Sequence, residues 1–389
     1  MKDIAMTALP PISIPFTYPQ QVGQEAAELA AAMASLRLSG DNAHTKRCQQ
    51  LLQRKLGVLG ALMTPSGTAA LELAAILADL QPGDEVIMPS FTFSSTANAV
   101  ALRGAVPVFV DIRPDTLNLD EERIAEAITP KTRAIYVVHY AGVPCEMDAI
   151  NALASRHGLL VLEDAAQAFL SRYRGRPAGT LGDMAAFSFH ETKNIQCGEG
   201  GAFVTNNPGL LARAEIVREK GTNRSAFFRG EVDKYTWVDI GSSLLPSELA
   251  AAFLSVQLDD SERLTSSRLE HWQAYHEGLR SLEDAGLLRR PIIPDHCQHN
   301  GHIYHVLLPS LEARTAFMKN LRLRGIQTTF HYVPLHSAPA GKKYGRSVGS
   351  LSVTSDIADR LVRLPLWSNM QDQTNRVKDA IFDFYGVAQ

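Results

Sequence analysis

The chain has 389 residues, 45% of them hydrophobic and 20% charged, with Gly 27 and Pro 20; this allows two or three domains with a large core and excludes a disordered or collagen-like chain. Lys+Arg 38 against Asp+Glu 41 leaves a net charge of −3, so no overall positive field draws it to nucleic acid or anionic lipid. The opening MKDIAMTALPPISIPF lacks a signal peptide's apolar run, and no stretch approaches the roughly 20 apolar residues of a membrane span, so a cytoplasmic protein is expected.

The first 20 residues, with Pro10, Pro11, Pro15 and Pro19, read as an extended arm. From residue 59 to about 205 apolar runs alternate with helical patterns. Gly60 to Thr64 predicts a strand, Ser66 to Leu80 a helix, Glu85 to Met88 a strand, Ser94 to Arg103 a helix and Pro107 to Asp111 a strand. A helix over Asp120 to Ile128, the strand Arg133 to Val138, a helix Met147 to Arg156 and strands Leu159 to Leu162, Ala185 to Phe189 and Ala202 to Thr205 follow. Strands separated by helices imply crossovers and a mostly parallel sheet, and the unalternating runs VIMP, IYVV and LVLE suit burial on both faces. Ligands of such sheets sit beyond the carboxyl ends of strands.

Near Trp237 to Pro246 the alternation stops, and a helical stretch runs from Ser247 to about Asp284. Beyond Arg289 to Asp295, the strand His302 to Leu308, helix Leu311 to Arg324, strand Ile326 to Tyr332 and helices near Ser355 to Arg363 and Gln371 to Tyr385 read as a smaller α/β unit. The expected division is therefore an arm over 1–20, a large domain over 21–245, and a linking helix with a small domain over 246–389.

Cys48, Cys145, Cys197 and Cys297 form no C-x-x-C pair and read as free thiols. His296, His299, His302 and His305 recur every third residue, but Asn300-Gly301 interrupts any helix, so they read as a loop entering a strand, and no metal site is expected.

Four features fall at strand ends or helix starts. Thr64-Pro65-Ser66-Gly67-Thr68 joins a strand to a helix; small residues there let backbone N–H groups approach an anion, while an ordinary helix cap explains it equally. Glu163-Asp164-Ala165-Ala166-Gln167 puts a carboxylate at the end of a buried strand, where it needs a cation or donor. Ser188, with Lys193 five residues on, leads into Gly198-Glu199-Gly200-Gly201; a lysine beyond a strand, between a hydroxyl and glycines, suits a Schiff-base role beside a phosphate.

Taken together, Gly-Thr at a helix start, Asp-x-x-Gln, Ser-x-x-x-x-Lys and Gly-Glu-Gly-Gly resemble the fold-type I pyridoxal-phosphate (PLP) enzymes, an α/β class. More narrowly the chain resembles the DegT/StrS sugar-nucleotide aminotransferases, from about Pro15 to the C-terminus, through Pro89-Ser90-Phe91-Thr92-Phe93, Val138-His139-Tyr140-Ala141-Gly142, His190-Glu191-Thr192-Lys193-Asn194, Lys220-Gly221-Thr222-Asn223-Arg224 and Phe330-His331-Tyr332-Val333-Pro334-Leu335-His336. Within the family it is most similar to dTDP-4-amino-4,6-dideoxygalactose transaminases. The resemblance implies that Lys193 holds PLP covalently and moves the proton, that Asp164 pairs with the pyridine nitrogen, and that Gln167 contacts the ring or O3′. It further implies that Ser188, Gly67 and Thr68 hold the phosphate and that Phe91 stacks on the ring. The family often has Gly-Tyr-Asn-Tyr-Arg reaching across a homodimer; here the segment is Gly241-Ser242-Ser243-Leu244-Leu245, with Ser243 in place of Asn.

The implied reaction takes nitrogen from glutamate and delivers it to C4 of dTDP-4-keto-6-deoxyglucose. Lys220, Arg229, His331 and Tyr332 are candidates for the substrate pyrophosphate, and Trp237 or Tyr235 for stacking near the base. The opposite C4 configuration and C3 amination are left open. A family dehydratase would carry histidine in place of Lys193, and a non-catalytic PLP-binding regulator would not keep every catalytic position filled.

Overall fold

The computed structural model describes residues 10–387. Each apolar run forms a strand: β1 (Gly60–Thr64), β2 (Glu85–Pro89), β3 (Val106–Val110), β4 (Thr132–Val138) and β5 (Leu160–Asp164). The short strands β6 (Arg172–Tyr173) and β7 (Arg176–Pro177) precede β8 (Met184–Ser188) and β9 (Gly201–Thr205). In the C-terminal third lie β10 (Cys297–Gln298), β11 (His305–Leu307), β12 (Arg346–Ser347) and β13 (Leu361–Arg363). The main sheet has the order β1-β9-β8-β5-β4-β2-β3-β12, flanked by helices.

Burial on both faces explains the unbroken apolar strands. Along β4, Ala134 and Tyr136 pack with the helix Gly67–Leu77 on one face, while Ile135 and Val137 pack with the helix Met147–His157 on the other. Within the main sheet all strand pairings are parallel except those of β9, which runs against both β1 and β8. No helix crosses between β8 and β9, so the chain simply turns back. That reversal starts β9 at the edge where the other strands end.

The helical stretch expected over 247–284 is three helices, Glu248–Asp259, Ser261–Gly278 and Arg280–Asp284. A second core gathers Trp272, Tyr275, Tyr304, Phe317, Val377 and Phe382 around the β11–β13 pair. Three expectations shift here. The strand over 302–308 is confined to His305–Leu307; the helix near 355–363 is Ser352–Arg360, followed by β13; and Ile326 to Tyr332 forms no continuous ladder, only bridges of Ile326 to Ile14 and Thr329 to Arg363. The C-terminal third also returns to the main sheet, because β12 adds to its β3 edge.

The arm expected over 1–20 is described from residue 10. It lies along the C-terminal part, with Ile14 fully buried there and the Phe16 amide donating to Gln327 Oε1 at 3.2 Å. Among the described residues no helix is long and apolar enough to cross a membrane.

Candidate active site

A cavity of about 420 Å³ opens at the carboxyl edge of the parallel strands, a volume suited to a small-molecule ligand. Its walls include Gly67, Thr68, Phe93, Asp164, Ser188, Lys193, His331 and Arg363, so it draws on both the large sheet and the C-terminal part.

One end is built to leave backbone N–H groups bare. Ser66 caps the helix Gly67–Leu77, its hydroxyl accepting from the Ala69 amide at 3.0 Å. A Cβ on Gly67 would stand 2.8 Å from Ser188 Cβ, and one on Gly201 would stand 2.3 Å from the Ser66 carbonyl carbon. Only glycine lets β9, β8 and this helix start converge so closely. Thr68 Oγ1 and Ser95 Oγ are 2.8 Å apart on the wall, Ser95 coming from the start of a second helix, Ser94–Ala101. Two helix N-termini, glycine-lined and rimmed by hydroxyls, make a cradle for a phosphate.

Asp164 ends β5 as a buried carboxylate. Its Oδ2 accepts from Thr96 Oγ1 at 2.7 Å and its Oδ1 from the Ala166 amide at 3.2 Å. Burial raises its pKa; these donors and the nearby Lys193 charge oppose that. The neighbouring Glu163 points to the other face, where it accepts from the amides of Gly179, Leu181 and Gly182 at 2.6 Å each. Glu163 Oε2 also takes the Nε2 proton of buried His139 at 2.8 Å, since His139 Nδ1 accepts from the Cys145 amide. Asp164 therefore sits on a strand end anchored by its neighbour.

Lys193 is partly open to the cavity, yet protein encloses its amine closely enough that desolvation lowers its pKa to about 8, against the attraction of Asp164. Gln167 is fixed at both ends: Oε1 accepts from the Ala141 amide at 2.7 Å, and Nε2 donates to Tyr332 Oη at 2.8 Å. The His331 ring stacks on Tyr332 at 3.9 Å and accepts at Nε2 from Arg363.

Gly67, Thr68, Asp164, Gln167, Ser188, Lys193, His331 and Tyr332 thus share one cavity. Six residues expected at the site do not line it: Phe91, Lys220, Arg229, Ser243, and the base-stacking candidates Tyr235 and Trp237, which are exposed elsewhere. Phe91 is 1% exposed and packs edge-on against Tyr140 and Tyr332, because the chain bends over residues 90–92 before the helix Ser94–Ala101; Phe93, 63% exposed, lies on the cavity wall instead. Arg229 is engaged outside the cavity by Glu215 and Glu231, at 3.0 and 2.7 Å. Lys220 and Ser243 are exposed, and the Lys220 amide donates to Ser242 O at 3.0 Å. The cavity also takes in Phe16, Ser95 and Arg363, which the sequence motifs did not single out, and His302, read there as part of a loop entering a strand; Thr96, behind the wall, supports Asp164, and Arg363 carried a signal, a lone charge within the apolar run LVRLPLW. Among the described residues, no group of three His, Cys, Asp or Glu is placed to hold a metal ion.

The cradle, the buried carboxylate and the desolvated amine are groups of the kinds that a phosphate, a protonated ring nitrogen and an aldehyde would need, so the residues present fit PLP. Comparison with known proteins agrees. The model of the DegT/DnrJ/EryC1/StrS aminotransferase family matches residues 19–382. The chain belongs to that family. It is 37% identical to the dTDP-3-amino-3,4,6-trideoxy-alpha-D-glucose transaminase of Streptomyces venezuelae over 81% of this chain and 80% of that one. It is 34% identical to the spore coat polysaccharide biosynthesis protein SpsC of Bacillus subtilis (strain 168), over 82% and 83%. The crystal structure of S. venezuelae DesV with a ketimine intermediate superposes with a TM-score of 0.88 at 33% identity, covering 98% of this chain and 100% of that one. The chain is accordingly a fold-type I sugar aminotransferase that uses PLP.

Proposed function

We propose that the enzyme aminates the keto group of a nucleotide-linked deoxyhexose with glutamate as donor, the expected substrate being dTDP-4-keto-6-deoxyglucose aminated at C4 in the galacto configuration. The observation that carries the reading is the pairing, in one cavity, of a lysine amine brought to about 8 with a buried carboxylate that accepts from Thr96 and a backbone amide. Bound PLP supplies an electrophilic carbon and a heterocycle that accepts the electron pair released from substrate carbon. The chain's own residues do the rest. Asp164 would hold the proton of the ring nitrogen, Gly67, Thr68, Ser95 and Ser188 would hold the phosphate, and Phe93, on the cavity wall, would take the ring-covering role expected of Phe91. Lys193, its pKa lowered to about 8, would move a proton between substrate carbon and cofactor, in opposite directions on the two legs. His331, held by Arg363 and stacked on Tyr332, lines the side where the sugar enters.

A homodimer completes this reading. Phe228, Tyr235, Trp237, Val238 and Ile240 are all at least 47% exposed along one segment that ends beside Ser243. Such an apolar run calls for a partner surface, and a second copy would bring Ser243, Lys220 and Arg229 to the neighbouring cavity. In the same spirit we propose the division into an arm to residue 20, a large domain to 245 and a small domain beyond.

A second reading, amination at C3, is favoured by the transaminase relative whose name specifies a 3-amino sugar. Incubating the protein with PLP, glutamate and dTDP-4-keto-6-deoxyglucose and solving the product by NMR decides between them. An axial C4 amine supports the first reading and an equatorial C4 amine its gluco counterpart; no product from this ketone, with product from its 3-keto isomer, overturns both C4 versions.

A further inference from the structure

Two groups on the cavity wall each lack the partner that the other could supply. Among the described residues no hydrogen bond holds the Lys193 amine, a donor. His302 lines the same cavity and is 5% exposed. Burial, with the cations Lys193, Arg268 and Arg363 and the His331 ring nearby, keeps it well below its ordinary pKa and therefore neutral; Asp164 and Glu199 are the carboxylates on the same wall. Its tautomer follows from its neighbours. Asn194 Nδ2 donates to Asn300 O at 2.8 Å, so Asn194 Oδ1 is the acceptor, and His302 Nδ1 is the donor of the 2.9 Å bond between them. That leaves Nε2 a bare lone pair, with no partner among the described residues and not sealed within protein. The frame around the ring is rigid. His302 N donates to Asn300 Oδ1 at 3.0 Å, and Asn300 Nδ2 donates to the carbonyls of Gln167 and Phe169 at 2.9 Å each. Arg268 donates to the carbonyls of Gly301 and His302 at 3.1 and 2.8 Å.

A nearly buried acceptor without a donor calls for an explanation, and here it stands beside the one donor whose bonding changes during the reaction. We propose that His302 is a positioning residue for Lys193: whenever the lysine is free as an ammonium, one of its three N–H groups donates to His302 Nε2. The proton stays on the lysine, and the ring fixes where that proton waits before it passes to carbon. Two observations select this donor over a group of the substrate. Lys193 is near enough for its charge to act on the ring, and the clasp on the ring comes from Asn194, the next residue in the chain. Ring and lysine are thus tied through a single residue. Asp164 attracts the same amine, but it would be committed to the ring nitrogen of a bound cofactor, which leaves His302 as the uncharged acceptor.

This inference rests on Lys193 being the reacting amine, and the two fail differently. If borohydride reduction of PLP-loaded wild-type protein tags a residue other than Lys193, that reading falls and takes the inference with it. With Lys193 tagged, His302→Leu should keep the visible absorbance of the bound cofactor and KM values within about threefold. The maximal rate of each half-reaction, with glutamate and with the keto-sugar, should fall about 10- to 100-fold, the range of a lost charge-assisted hydrogen bond. His302→Gln, whose amide oxygen can accept, should recover part of the loss; it also serves if the leucine variant folds poorly. Asn194→Asp moves a readout that a purely structural clasp would not. A carboxylate against Nδ1 favours a second proton on the ring and turns Nε2 into a donor, so the acidic limb of kcat should move up by about one pH unit or more, with activity recovered at higher pH. A His302→Leu rate within about threefold of wild type, a loss confined to one half-reaction, or an Asn194→Asp profile lowered at every pH with its limb unmoved would each overturn the proposal.

Discussion

Desolvation takes the Lys193 amine from an ordinary 10.5 to about 8, and two measurable consequences follow at the level of single side chains. Only the free amine attacks an aldehyde, so capture of PLP by cofactor-free protein should accelerate about tenfold per pH unit below 8 and level off above it, as read by stopped-flow absorbance. The same shift acts on stability. Between about 8 and 10.5 the unfolded chain binds the proton that the folded chain has released, so this lysine's penalty is full below pH 8 and lifts as pH rises through that window. Lys193→Ala should therefore abolish the visible absorbance and turnover, while the cofactor-free variant melts at or above the wild-type temperature at pH 7. Lower melting with retained turnover would contradict both. Thr96 acts on the partner carboxylate. Thr96→Val removes the 2.7 Å donor to Asp164 and leaves burial less opposed, so the Asp164 pKa should climb further and kcat fall about 10-fold or more, within the range for a hydrogen bond to a charged group. A pH–rate profile whose acidic limb moves upward would distinguish this from a loss of folding.

At the scale of elements, the reversal of β9 sets the cradle. Because β9 begins where β1 and β8 end, Gly201 lies against the Ser66–Gly67 turn, with no room for a methyl group. Gly201→Ala should displace that turn and weaken PLP binding at least about tenfold by fluorescence titration, with a smaller effect on melting, because the strand itself still pairs. The glycines, the helix start and the strand-end carboxylate were legible in the sequence because each is a short local pattern at a fixed offset from an apolar run. The direction of β9 was not, since a parallel and an antiparallel strand present the same buried residues. Phe91 and Phe93 show the same limit at finer grain: both are aromatic, and only the bend of the chain over residues 90–92 decides which one is core. The stretch from Ile326 to Tyr332 has strand-like composition, yet its neighbours offer only isolated bridges.

Across the whole molecule, the parts that composition could not reach are those joining distant segments. Arg363, Phe16 and Lys193 are separated by most of the chain and meet only because the C-terminal third returns to the large sheet and the arm lies along it. The exposed run ending beside Ser243 extends this logic beyond one chain. Light scattering should give twice the 42.5 kDa chain mass, and Trp237→Asp, at a residue 77% exposed, should shift the protein toward monomer and cost most of the turnover. A monomer with undiminished turnover would show each cavity to be self-sufficient. The arm itself has a practical corollary. Ile14 and Phe16 are threaded onto the C-terminal body like a latch over a door, so whatever is fused ahead of Pro10 pulls on the wall beside Arg363. A carboxyl-terminal purification handle, remote from that latch, is the safer choice for kinetic work, and clipping by an aminopeptidase past Phe16 would open the chamber to bulk solvent while leaving the body of the enzyme standing.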